Sequence, residues 1–295
     1  MQTNGFTTNA LAGAAMALAF AVTAQALNNR SFVATTGNDA NACTPSAYCR
    51  SFAAALAVTN PGGEIVVVNS GGYGPATITQ PVIITAIGVD ASISATSGNA
   101  FTIDTPGNVT ITGLNLHGEG TAQNGIFVQQ VGFLRLYGML IENFVNTGVF
   151  FDASGNLAVY DSKITDCVFD GLLLDNDTAQ AYVENSAFDN NQNAGAESLR
   201  GAMTIADSSA YYNAIGFYAD DGTVTLYNDS ASFNATGLQA VLGGVLYFAD
   251  CVVSGNTTDY NIASGGSITG SNPGTTLITP GQGATGTLST AIALQ

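Results

Sequence analysis

An Asn or Asp recurs through the second half of the chain at a nearly constant interval, and that interval leaves few folds open. Asn143, Asp166, Asn190, Asn213, Asn234 and Asn256 are separated by 23, 24, 23, 21 and 22 residues. A Gly follows shortly after, at Gly148, Gly171, Gly195, Gly216 and Gly237. Between the Asn positions lie short stretches that are apolar at every second residue: Leu157/Val159, Met203/Ile205, Val224/Leu226 and Leu246/Phe248. Strands this short, with no helical stretch between them, cannot build strand–helix–strand units. A fixed period in the low twenties predicts three short strands per coil and coils stacked in register. The result is an all-β parallel solenoid of about 22–23 residues per coil. In-register stacking puts the six Asn and Asp residues at one corner as a ladder, where amides bond their neighbours and tolerate the left-handed conformation of a tight turn. The Gly column is read the same way, as corner positions with positive φ.

The front of the chain departs from the period. Ser51–Val58, "SFAAALAV", reads as a short helix with a Ser N-cap, stopped by "TNPGG". It is expected to cover the exposed end of the solenoid. Ala10–Val22 is apolar but too short to span a bilayer, and Ala24-Gln25-Ala26 fits the small-x-small cleavage rule of a secretory signal. The first ten residues carry no Lys or Arg, so a hydrophobic helix docked on the domain is the alternative. The expected organisation is 1–26 signal peptide, 27–63 N-terminal cap, 64–271 β-helix and 272–295 C-terminal cap or tail. In an exported chain Cys43 and Cys49 form a local disulfide, while Cys167 and Cys251 are expected as buried free thiols.

Composition removes whole classes of partner. Twenty-one acidic residues face five cations, Arg30, Arg50, Arg135, Lys163 and Arg200, for a net charge of −16. With no cationic cluster to neutralise phosphates, nucleic acid and anionic lipid are excluded as ligands. One His and no CxxC leave no zinc set.

The stacked N-x-x-G corners and their period resemble the right-handed parallel β-helices of the pectate-lyase-like superfamily. The segment from Ser31 into Ala86 resembles the opening of exported bacterial β-helix proteins of unassigned activity, and the likeness extends to about Ser271. The resemblance implies the handedness of the coil, an extracellular or cell-surface location, and contact with polysaccharide or a surface protein. It does not carry an activity across. Of the motifs that mark polygalacturonases of this fold, only the "DD" at Asp220-Asp221 is present. The lone His117 stands in "LHGEG", "NTD" and "RIK" are missing, and no Arg or Lys sits in a lyase-like motif.

Asp152, Asp175 and Asp220 each lie four residues after a corner Gly and form one edge of the solenoid. Three readings of that edge compete. It is a solvated edge that keeps the protein soluble. It is a Ca²⁺ site completed by Asp177 or Asp221. Or it is a catalytic carboxylate pair of glycosidase type. Tyr137, Tyr160 and Tyr182 recur one coil apart; they either pack within the fold or, facing out, offer sugar rings a flat platform. The function expected is that of an exported, non-enzymatic β-helix binding glycan or a protein along one face. The alternative is a polysaccharide lyase or glycoside hydrolase with an acidic site of unusual make-up.

Overall fold

A computed structural model describes residues 27–270, 277–278 and 284–290. The expected signal segment 1–26 and most of the expected C-terminal cap or tail lie outside the described residues. Between those limits the chain winds as a parallel β-helix, and the strand pairings are parallel throughout. Each coil contributes to three faces. The long face is built from strands such as Phe133–Tyr137, Asn156–Tyr160 and Thr223–Tyr227. The short face uses three-residue strands, among them Lys163–Thr165, Ala187–Asp189 and Ser209–Tyr211. The third face contains Val149–Phe151, Ile215–Ala219 and Thr236–Ala240. Two strands, Leu172–Glu184 and Ala194–Ala206, continue from the third face into the long face.

Register shows why the period is what it is. Leu134 pairs with Leu157, Leu157 with Ala181, Ala181 with Met203, Met203 with Val224 and Val224 with Leu246. Those side chains point inward, as do Val159, Val183, Ile205, Leu226 and Phe248, and all are buried. Earlier coils are longer: Val82 pairs with Val109 and Val109 with Leu134, steps of 27 and 25 residues. The helix spans Phe52–Val58, with Ser51 accepting the Ala54 N–H at 3.2 Å as its N-cap. It buries Phe52, Ala55 and Leu56, and the Phe52 ring meets Tyr73 at 5.5 Å and Phe101 at 5.7 Å. The helix stops where "TNPGG" begins, and Thr59 leads directly into the strand Thr59–Val67, which pairs with Asn28–Val33. Cys43 and Cys49 are disulfide-bonded; Cys167 and Cys251 are free and buried.

The ladder differs from its sequence reading by one residue in half of its members. The stacked, buried amides are Asn191, Asn213, Asn234 and Asn256. Asn191 N–H donates to Asn213 Oδ1 at 2.8 Å, Asn213 N–H to Asn234 Oδ1 at 2.9 Å, and Asn234 N–H to Asn256 Oδ1 at 2.8 Å. Each Nδ2 also donates to the next Oδ1, at 3.1, 3.1 and 3.2 Å. Asn143, Asp166 and Asn190 stand one position earlier, in a column of left-handed residues with φ of 64°, 57° and 56°. Tyr212, Phe233 and Gly255 continue that column. In the earlier coils Cys167 occupies the ladder position, so the amides stop at Asn191. The corner has two residues with separate duties: the first turns the chain and the second bonds the neighbouring coil. Asn suits either duty, which is why one Asn series merged the two columns.

The Gly column also has a different cause. Gly148, Gly171, Gly195, Gly216 and Gly237 do not have positive φ. A Cβ on Gly216 would lie 2.5 Å from Gly237 O and 2.9 Å from Asn234 Nδ2, and one on Gly171 would lie 2.9 Å from Asn191 Nδ2. These glycines clear space for a backbone carbonyl of the following coil and, from Gly171 onward, for its ladder amide.

Candidate functional site

The corner between the long and short faces repeats the two-duty pattern with other residues. Its left-handed column is Gly138, Asp161, Asn185, Asp207, Asn228 and Asp250. The bonding column is Met139, Ser162, Ser186, Ser208, Asp229 and Cys251. Each Ser hydroxyl accepts a backbone N–H from the coil before: Met139 to Ser162 at 3.1 Å, Ser162 to Ser186 at 3.2 Å, Ser186 to Ser208 at 3.0 Å. It donates back to a carbonyl of its own coil, as Ser162 does to Tyr160 O at 2.7 Å. Asp229 accepts two N–H groups instead, from Ser208 at 2.7 Å and Tyr227 at 2.8 Å. Only 2% of it is exposed, and burial pushes its carboxyl up to about 7 despite those donors.

The left-handed column stands out as a ridge in which carboxylates and amides alternate. Asn185 donates to Asp161 at 2.5 Å and Asn228 to Asp207 at 2.6 Å. Beside it, three successive outward residues of the short-face strands are small, Ala187, Ser209 and Ser230, with Lys163 before them and Val252 after them in the same column. A high ridge next to a low floor makes a groove of about 630 Å³ along the solenoid axis, reaching from Asp161 to Asp250, with Tyr211 on its far side. The one cation in it, Lys163, is tied to Asp189 at 3.1 Å. At the next corner Tyr212 and Phe233 stack at 5.6 Å and 15°, 63% and 57% exposed. A bulky side chain at left-handed φ is uncommon.

A second cluster lies on the third face. Asp170, fully buried, precedes Gly171, and Glu197, 5% exposed, stands on the following coil. Asn193 joins them, its Nδ2 donating to Asp170 Oδ1 at 2.7 Å and to Glu197 Oε2 at 3.1 Å, and Ala194 N–H donates to Asp170 Oδ1 at 2.9 Å. Asp170 Oδ2 is buried without a hydrogen-bond partner, and Asn193 bridges the two carboxyls. Burial first, then the negative charge of Asp170 and of Asp220, raises Glu197 well above the carboxylate range. Burial also raises Asp170, against the donors that favour its charge. Sequence reasoning missed both acids. The available signal was position: Asp170 precedes a corner Gly where Asn124 and Thr147 stand on earlier coils, and Glu197 is in register with Phe150, Leu173 and Tyr218.

The acidic edge read from the sequence does not gather into one site. Asp175 is bound by Arg200, at 2.7 Å through a terminal nitrogen and 2.8 Å through Nε. Arg200 is also its register partner. Asp152 lies beside that pair, its carboxyl raised by burial and then by the Asp175 charge. Asp177 and Asp221 are exposed. Asp220 shares a hydrogen bond with Tyr218, and its carboxyl is raised mainly by burial. Among the described residues no three His, Cys, Asp or Glu side chains converge as metal ligands. The Tyr series is corrected too. Tyr137 and Tyr160 face outward in register, stacked at 4.8 Å and 10°. Rings stacked with the spacing of the coils present their edges, not a flat platform. Tyr160 pairs with Glu184, so Tyr182 falls two residues out of the column and tilts by 54°.

Comparison with known proteins agrees with this architecture. The family model described as "Right handed beta helix region" matches residues 65–231 and 147–279. Pectate lyase Pel9A is similar in structure, with a TM-score of 0.52 and 14% identity over 92% of this chain and 78% of that one. A rhamnogalacturonan lyase is similar with a TM-score of 0.56 and 11% identity over 90% and 86%. At these identities the likeness is one of fold. A search of curated protein sequences finds no match to this chain.

Proposed function

The chain belongs to the right-handed β-helix family, and from that premise we propose that it is an exported protein that binds a polysaccharide along the groove of its short face. The observation that carries this reading is the groove itself. It is open at the surface, runs parallel to the axis across successive coils, and offers hydroxyl, amide and carboxylate groups at a regular spacing. A linear polymer of repeating polar units is the ligand such a surface fits. Export is supported by the apolar segment Ala10–Val22 with its Ala24-Gln25-Ala26 site and by the Cys43–Cys49 disulfide, which suits an oxidising compartment. Among the described residues no helix is long and apolar enough to cross a membrane. The two similar structures are named for pectate and rhamnogalacturonan, both polysaccharides.

A binding role is favoured over a lyase because the one cation lining the groove, Lys163, is engaged with Asp189. The remaining cations lie elsewhere: Arg30 with Glu64, Arg200 with Asp175, Arg135 over the Phe133 ring and Arg50 over Tyr73. Affinity electrophoresis through gels containing a panel of polysaccharides tests the reading. At least one polymer should retard the protein, and Ser209→Phe, which fills the floor of the groove, should abolish that retardation without lowering the melting temperature. Equal retardation of the variant places the ligand on another face and overturns the proposal.

One observation favours the alternative of a glycoside hydrolase. Burial and the charges of Asp170 and Asp220 push the Glu197 carboxyl upward, the direction a general acid needs. Its burial, with 5% exposed, opposes that role. Release of reducing ends from a bound polymer, lost in Glu197→Gln, would replace binding by hydrolysis.

A further inference from the structure

We infer that the groove selects a cationic, extended β-1,4-linked amino-sugar chain and rejects polyuronates; this deepens the binding reading above and rests on it. Along the ridge the charged members are every second residue, Asp161, Asp207 and Asp250, with Asn185 and Asn228 between them. Two coils at the strand spacing make about 9.6 Å between successive carboxylates. An extended β-1,4-linked pyranose chain turns over at each sugar, so its structural repeat is likewise two sugars long. Substituents on one edge therefore recur at every second unit. In an amino-sugar chain those substituents are ammonium groups, and a chain lying in the groove brings one to each carboxylate.

The amides between the acids are already oriented. Asn185 and Asn228 each donate to one oxygen of the preceding Asp, which fixes the carboxylate and leaves its other oxygen available. All five ridge residues are exposed. On the floor Ser209 and Ser230 offer hydroxyls, and Tyr211 limits the far side. The one cation lining the groove, Lys163, is ion-paired with Asp189. A polyuronate would place a carboxylate on every sugar against this wall, in the field of a protein carrying −16. The similar structures named for acidic pectic polymers share the coil, and the polarity of this surface is opposite to what such polymers need.

Calorimetric titration of the full-length protein with glucosamine hexaose, cellohexaose and hexagalacturonate decides the matter. At about pH 5.5 and low salt, the glucosamine hexaose should bind about tenfold tighter than cellohexaose, as three exposed ion pairs allow. Hexagalacturonate should not bind. Raising the salt to about 1 M shortens the screening length to about 3 Å and should bring the two affinities together. In the double variant Asp161→Asn with Asp207→Asn they should converge already at low salt. Equal binding of cellohexaose and glucosamine hexaose by the unaltered protein, or binding of hexagalacturonate, overturns this inference and leaves the glycan reading standing. A preference that survives in the double variant overturns it as well, by placing the charge recognition elsewhere. Failure of every saccharide, hexaose or polymer, removes the glycan reading itself.

Discussion

The two corners that flank the short face solve one problem with different chemistry. Both are two-residue turns in which a left-handed residue precedes a side chain that accepts a backbone N–H from the neighbouring coil. At the Asn corner the acceptor is an amide that also donates, so Asn191, Asn213, Asn234 and Asn256 form a continuous neutral chain of hydrogen bonds. At the Ser corner each hydroxyl returns its proton to its own coil, so buried contact between coils rests on one acceptor each, beside the exposed Asn185–Asp161 and Asn228–Asp207 bonds. Asp229 stands in that column with no proton to return at high pH. Connectivity between coils therefore concentrates at the Asn corner, and sensitivity to pH at the Ser corner.

The largest test of that difference is Asn213→Ala. It strands the Asn191 backbone N–H, one Asn191 amide proton and the Phe188 carbonyl. Three buried groups at about 1–3 kcal/mol each predict a loss of about 4 kcal/mol in urea unfolding. A change under about 0.5 kcal/mol would mean that the amide column is not a structural element.

Next comes Asp229→Ser, which restores the column's usual residue. The Asp229 carboxyl titrates near 7 in the folded state and near 3.9 when unfolded. Between those values the folded chain holds a proton that the unfolded chain has lost, so stability falls as pH rises through that window and stays lowered above it. The variant should gain on wild type by about 4 kcal/mol between about pH 4 and pH 8. Parallel stability curves for the two proteins would locate the pH dependence elsewhere, with the Asp170–Glu197 pair the obvious place.

The smallest effect is the most pointed. Cys167→Asn extends the amide column by one coil, because Cys167 already occupies its next position and donates its N–H to Asn191 Oδ1 at 3.1 Å. A gain of about 0.5 kcal/mol is expected from one added neutral hydrogen bond. A loss above about 1 kcal/mol would show that the coil around Gly148 is shaped for sulfur and has no room for an amide.

The coil was legible because strand alternation and corner spacing repeat, and repetition is visible in a single sequence. The ladder was legible only to within one residue, since Asn190 and Asn191 are adjacent and an Asn serves equally as turn former or bonding residue. The N-terminal coils hid because their steps of 27 and 25 residues break the period. The groove was not legible at all. It depends on Ala187, Ser209 and Ser230 being small where their neighbours across the corner project, a difference between columns that appears only once the register is fixed. Asp170 and Glu197 escaped for the same reason: 27 positions apart in sequence, they meet through Asn193.

Gly216 and Asn234 make contact across coils, because the amide of one coil fills the space left by the glycine of the coil before. In evolutionary terms this couples two columns. A side chain at the glycine would meet the Gly237 carbonyl at 2.5 Å as well as the amide, so shrinking the amide alone does not make room for it. Duplication of a whole coil copies both halves of the contact at once and disturbs neither neighbour. The heritable unit of this architecture is therefore the coil, and the chain can lengthen by that unit far more readily than it can change a single residue within it.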